Sequence, residues 1–201
     1  YIDSMITLSN AEVATWSDGS KIDVHEKMMG LTANIISKII FNTTTGDKGK
    51  LLLDTITELE HLIPLRLKRL HPIIHRLPLR TNRRYKHLIE TLESEIMAFI
   101  HDAQESDSDY PTLLSNLMNA KYEDGSTMGE KQLRDEVMTV FLAGHDSTAI
   151  TLSATFYLLS QHPDIETQMV TEIQQVLSDG PLSAEHIERL VFTKKVIKES
   201  M

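Results

Sequence analysis

From Thr127 to His162 the chain carries no proline, and the stretch opens with Thr127 three residues ahead of Glu130, the spacing of a capping box. The spacing predicts one helix from about Met128 to Gln161, roughly 34 residues and about 50 Å long at 1.5 Å per residue. A rod of that length crosses a whole domain, so the rest of a 201-residue chain has to pack around it. Between Glu136 and Asp164 its only formally charged side chain is Asp146. Apolar residues occupy all its sides, the pattern of a helix buried all round.

Periodicity elsewhere is also helical. Met5, Leu8, Val13 and Trp16 mark a short helix stopped at Ser17-Asp18-Gly19, and Lys21 to Asp23 reads as a brief strand. Asp23, with Glu26 three residues on, caps a helix through Met29, Ile36 and Ile40 that ends near Phe41-Asn42. Leu52 to Leu62 is helical until Pro64 interrupts it. From His61 to Ile89 the chain holds Arg66, Lys68, Arg69, Arg76, Arg80, Arg83, Arg84 and Lys86 with no acid, and reads as a mobile basic surface segment. Leu88, Leu92, Ile96 and Ile100 share one face of a further helix, followed by the acidic linker Glu105 to Asp109. A short helix from Thr112 to about Asn119 leads to the turn Glu123-Asp124-Gly125. The fold class is mainly α, a multi-helix orthogonal assembly around the long central helix, and residues 1–201 read as a single partial domain.

Composition narrows the function. A net charge of -9 and an aromatic share of 5% oppose nucleic-acid binding by a basic face or by base stacking. The absence of cysteine removes disulfides, thiolate metal sites and cysteine nucleophiles from this stretch. No run reaches the roughly 18 apolar residues of a membrane span. A soluble, cytoplasmic protein is favoured, with room for a membrane anchor ahead of Tyr1. His71 and His75 have the i, i+4 spacing of a metal pair, but Pro72 opposes a regular helix through them and no acidic ligand stands nearby. No metal site is assigned.

Phe141-Leu-Ala-Gly-His-Asp-Ser-Thr-Ala-Ile150 concentrates the chemistry. A glycine at a helix centre costs about 1 kcal/mol relative to alanine, and a buried carboxylate must be partnered or protonated. These choices make sense if a flat ligand lies against the helix. Gly144 then removes a side chain that would block approach, Ser147 and Thr148 open the backbone ladder, and Asp146 relays protons from solvent. The structural alternatives are helix packing at Gly144, hydroxyls bonded back to the preceding turn, and Asp146 paired with an arginine.

Ala143-Gly144-His145-Asp146-Ser147-Thr148 resembles the oxygen-activating motif of the cytochrome P-450 superfamily, Ala/Gly-Gly-x-Asp/Glu-Thr-Thr/Ser. Leu158 to Asp164 is similar to the end of that family's central helix and the start of the next, and Val196 to Met201 to the opening of its Glu-x-x-Arg helix. The resemblance covers essentially the whole chain and implies a haem-thiolate monooxygenase that hydroxylates an apolar organic substrate with dioxygen. Its electrons would come from a redox partner, a ferredoxin or a flavoprotein reductase. It implies Ala143 and Gly144 over the haem, Asp146 and Ser147 as the acid-alcohol pair that delivers protons, and Thr148 as a hydroxyl able to share the task. Serine stands where threonine is usual, without the methyl group that fixes the rotamer. Glu199 would be the glutamate of the Glu-x-x-Arg pair, with its arginine expected directly after Met201. The iron-ligating cysteine is expected in a later loop, so the chain reads as incomplete at both ends and unable to bind haem alone in the family's manner. The resemblance makes the basic segment the family's lid over substrate entry, with a plain surface loop or a membrane contact as the alternatives. The rival reading is a non-catalytic α-helical ligand-binding or regulatory protein.

Overall fold

A computed structural model of the chain describes residues 1–42, 47–68, 77, 79–105 and 112–201. The helices are α1 (Ile2–Val13), α2 (Val24–Phe41), α3 (Asp47–Leu67), α4 (Arg80–Glu105), α5 (Leu113–Asn119), α6 (Glu130–Gln161), α7 (Pro163–Val176), α8 (Ala184–Arg189) and α9 (Val191–Glu199). A 3-10 turn, Leu177–Asp179, follows α7. Among the described residues the sole β feature is an isolated bridge between Lys121 and Thr127, closed around the turn at Gly125. Lys21 to Asp23 is an irregular connection rather than the expected strand, because no strand of the described residues lies beside it to share a ladder.

Local chemistry sets the helix ends. The Glu26 N–H donates to Asp23 Oδ1 at 3.1 Å, the expected cap of α2, and Asn42 closes the helix with φ 55°, in the left-handed region asparagine tolerates. Thr112 and Ser115 exchange backbone and side-chain bonds at the start of α5. Pro163 opens α7 in its first turn, where a missing N–H has no helical partner to lose. Pro64, in contrast, does not end α3. One donor is lost in the last turn, and the helix still completes itself through the Lys68 N–H donating to the Pro64 carbonyl at 3.1 Å.

The described residues form two compact units, Tyr1–Ile36 with Leu142–Met201, and Ser37–Phe141. In the second unit α3 packs on α4: Leu52, Ile56 and Leu59 are buried on one, Leu88, Leu92, Ile96 and Ile100 on the other. Phe41 stacks on Phe99 with ring centroids 4.4 Å apart, and Phe141 tilts against Phe41 at 6.4 Å. The flanks of the basic segment make side-chain contacts. Arg66 donates to Asn82 Oδ1 at 2.9 Å and lies 4.0 Å over the Tyr85 ring, while Arg84 holds Glu58 in a forked ion pair. The middle of that segment, with His71 and His75, lies outside the described residues.

In the first unit, α1 is tied to α2 through Glu12, which accepts from Trp16 Nε1 and pairs with Lys27 Nζ, both at 3.1 Å. Leu8, Trp16 and Val24 cover the buried cluster of Met28, Leu31 and Ala149. Glu172 of α7 caps α9: its carboxylate accepts from the Phe192 and Thr193 N–H groups at 2.7 Å and from the Thr193 hydroxyl at 2.8 Å. No helix of the described residues is long and apolar enough to cross a membrane.

Two outcomes follow from this packing. Phe141→Ala, at a side chain 1% exposed, is expected to lower stability by about 3–5 kcal/mol in urea unfolding. Partial desolvation pushes the Glu172 carboxyl up, but the donors of Phe192, Thr193 and Val191 outweigh it and hold it below the ordinary value. The stabilisation is therefore present above about pH 4.3 and lost as pH falls through the depressed value. Thermal melts should show Glu172→Gln less stable than the parent at pH 7 and less sensitive to acid below pH ~4.3.

Candidate active site on the long helix

The helix α6 is α-helical without interruption from Glu130 to Gln161. Buried positions recur every fourth residue at Leu133, Val137, Phe141, His145 and Ala149, and Thr155 and Leu159 are buried farther along. The other side differs from the expectation of burial all round. Leu142, Ile150, Phe156, Tyr157 and Leu158 are exposed, with Ile150 at 51% and Tyr157 at 67%. Within the unit that holds them, side chains of α1 and α2 pack with Ala149, and Leu158 borders a groove shared with α9.

The motif straddles this boundary. α2 and α6 run antiparallel here: His25 faces Ser153, Met29 faces His145, and Ile36 faces Gly144. A Cβ on Gly144 would stand 3.0 Å from Ile36 Cδ1, so the glycine lets α2 approach. Ala143 and Ser147 lie on the exposed side, one turn apart. The Ser147 hydroxyl donates to the Ala143 carbonyl at 2.5 Å. It thus bonds back to the preceding turn, as Thr139, Ser153 and Thr155 do elsewhere on α6, without the opening of the ladder expected from the sequence. Thr148 is exposed and Asp146 half-buried. Among the described residues no lysine or arginine pairs with Asp146, which sets aside the structural ion pair within that set.

His145 is the residue that sequence reading passed over. It is 1% exposed, one of the largest fully buried side chains of the described residues. The available signal was its position, four residues after Phe141 and four before Ala149, on the buried stripe. Glu199 is exposed at the rim of a groove of about 630 Å³ floored by Leu158, Leu159, Ile165, Phe192 and Val196. No three acidic, histidine or cysteine side chains of the described residues gather to hold a metal.

With this geometry in place, likeness to known proteins decides the family. A sequence profile described as "Cytochrome P450" matches residues 5–201. The chain belongs to the cytochrome P450 family. Pentalenene oxygenase of Streptomyces avermitilis is 28% identical to it over 201 residues, all of this chain and 45% of that protein. Bifunctional cytochrome P450/NADPH--P450 reductase 1 of Bacillus subtilis is 26% identical, covering 96% of this chain and 21% of that one. The crystal structure of the cytochrome P450DA heme domain superposes with a TM-score of 0.82 at 22% identity, over 98% of this chain and 44% of that chain, and shows the fold to be the P450 fold. The chain thus spans less than half the length of the P450 proteins it matches.

Burial pushes the His145 imidazole of this P450 chain below the ordinary 6.5, with His25 adding to that, while Asp146 and the Met29 backbone pull it upward. The unfolded chain therefore binds the proton first. Stability supplied by neutral His145 is full above about pH 6.5 and is lost as pH falls through the depressed value. The thermal midpoint should drop between about pH 7 and 5.5, and drop less in His145→Gln, which does not titrate.

Proposed function

We propose that the chain is the oxygen-side portion of a haem-thiolate monooxygenase that hydroxylates an apolar organic substrate. The observation that carries this reading is an exposed Ser147 hydroxyl next to half-buried Asp146 on an otherwise apolar helix.

The residues present fit a haem. Ala143 and Ser147 give the open side of α6 small side chains one turn apart, and exposed Leu142 and Ile150 flank them with apolar surface. Of the two residues expected over the ring, Ala143 is the one on the open side, and Gly144 serves the approach of α2. When bound, the haem would supply the oxidising chemistry, with its iron held by a cysteine from outside residues 1–201.

This chain's own residues would manage protons and water. Asp146, bound to no lysine or arginine of the described residues and in contact with solvent, takes up a proton at a carboxylate oxygen. Ser147 Oγ, held until then by its bond to the Ala143 carbonyl, would accept the proton relayed from Asp146 as its own O–H turns from that carbonyl and passes its proton to the oxygen substrate on the exposed side. Thr148 offers a second hydroxyl beside it. The apolar flanks exclude bulk water and receive the apolar substrate and dioxygen. Electrons would arrive from a separate or fused donor, a ferredoxin or a flavoprotein reductase, in keeping with the reductase-fused Bacillus relative. Glu199 would pair with an arginine outside the chain and shape the groove it borders.

In the haem-loaded enzyme that contains this chain, Asp146→Asn should slow turnover roughly 100-fold and leave the reduced carbon-monoxide spectrum unchanged. Ser147→Ala should raise peroxide released per dioxygen consumed, and Ser147→Thr, which restores the rotamer-fixing methyl, should lower it. Unchanged turnover and coupling across all three would remove the pair from proton delivery. Absence of a thiolate-haem band would restore the regulatory alternative.

A further inference from the structure

One end of the α3–α4 pair carries apolar and cationic side chains that the packing leaves unused. Ile63, Leu65 and Leu67 in the last turns of α3 are exposed, Leu67 at 72%, and so are Leu77 and Leu79 just ahead of α4. Hydrogen bonds bring them to the same end. Arg66 donates to Asn82 Oδ1 at 2.9 Å and lies 4.0 Å over the Tyr85 ring, which holds the end of α3 against the first turns of α4. Asn82 Nδ2 in turn donates to the Leu77 carbonyl at 2.8 Å, as does the Leu79 N–H. A lone apolar side chain on a surface is ordinary, but several gathered at one end of a helix pair mark a contact.

The charges at this end differ from those behind it. Arg84 is paired with Glu58 and Lys86 with Glu90. Lys68, Arg80 and Arg83 are exposed with no acidic partner among the described residues, and the sequence holds no Asp or Glu from His61 to Ile89. The chain as a whole has a net charge of -9. Charges farther than about 8 Å are nevertheless screened at physiological ionic strength, so a partner at this end meets cations.

The placing of the leucines selects the partner. Side chains two residues apart on a helix point about 160° from each other, so Leu65 stands on the other side of α3 from Ile63 and Leu67. A rigid protein groove covers one face of a helix. A lipid headgroup layer flows around a helix end, admits apolar side chains from every side, and meets the cations with its anionic groups. Nucleic acid would use the cations and leave the leucines in water. No helix of the described residues is long and apolar enough to cross a membrane, so the contact is with the bilayer surface.

We propose that this end of the α3–α4 pair docks on the surface of an anionic lipid bilayer, its exposed leucines entering the headgroup layer and Lys68, Arg80 and Arg83 meeting the anionic lipids. The inference goes beyond the monooxygenase reading and does not depend on it.

The test is sedimentation of the haem-loaded enzyme containing this chain with vesicles of phosphatidylglycerol mixed into phosphatidylcholine, and with vesicles of phosphatidylcholine alone. The enzyme should bind the mixed vesicles, and the neutral ones more weakly by about tenfold or more. Lys68→Gln, Arg80→Gln and Arg83→Gln combined should weaken binding to the mixed vesicles roughly 100-fold, at about fivefold for each cation. Leu65→Ser with Leu67→Ser should weaken it roughly tenfold. Lys21→Gln, Lys121→Gln and Lys131→Gln combined, which remove the same charge from exposed sites elsewhere, should leave it unchanged. All these side chains are exposed, so the thermal midpoint and haem spectrum should match the parent. Leu67→Ser alone gives the leucine comparison should the pair lose haem. No binding to the mixed vesicles, binding that survives the leucine or the cation substitutions, or equal weakening by the control set overturns the proposal. Binding of polyglutamate or RNA as tight as that of the vesicles also overturns it, in favour of an acidic protein or a nucleic acid.

Discussion

The approach of α2 to α6 at Gly144 is the constraint from which the rest of the site is derived. Two helices ordinarily sit 8–10 Å apart, with the distance set by the side chains at the contact. Here one of those side chains is a hydrogen, and an added methyl would force Ile36 to move. Ile36 takes the space that a side chain at 144 would occupy, beside buried His145, while Ala143 and Ser147 are exposed.

Much of the architecture was legible because it is local. Capping residues declare themselves by type and spacing, so Asp23 and Thr112 marked the starts of α2 and α5, and the run between Thr127 and Pro163 gave α6 to within two residues at its start. Pro64 misled for a physical reason. The cost of proline in a helix is one lost donor and one steric clash, and within the final turn of α3 that cost is small against the packing of Leu52, Ile56 and Leu59 on α4. In the basic segment, charge density does not tell which side chains find partners. Arg66 and Arg84 are fixed by Tyr85, Asn82 and Glu58, partners that no local pattern reveals.

The site was legible as a motif and much less so as geometry. A helix that is apolar on every side gives no phase, so sequence alone does not tell which residues of Ala143 to Thr148 meet α2 and which are open. The phase comes from a tertiary contact between residues over a hundred positions apart, Ile36 and Gly144, and with it His145 emerges on the buried side. The hydroxyls show the same limit. Ser147 bonds its i−4 carbonyl in the manner of Ser153 and Thr155, so the bond itself marks nothing. What separates Ser147 from them is its exposure and the carboxylate beside it.

That carboxylate differs in kind from the others the fold uses. Glu172 is saturated by N–H and O–H donors, Glu12 by Trp16 and Lys27, and Glu58 by the fork of Arg84. Each of these is held in its ionised form by its partners, which suits a cap or a tie between helices and prevents it from carrying a proton. A relay needs the opposite: enough burial to be aimed and enough water to be recharged, with no fixed cation to trap the anion. Asp146 is half-buried and paired with no lysine or arginine of the described residues. In the proposed relay Asp146 is the carboxylate that water reaches and that no lysine or arginine of the described residues holds.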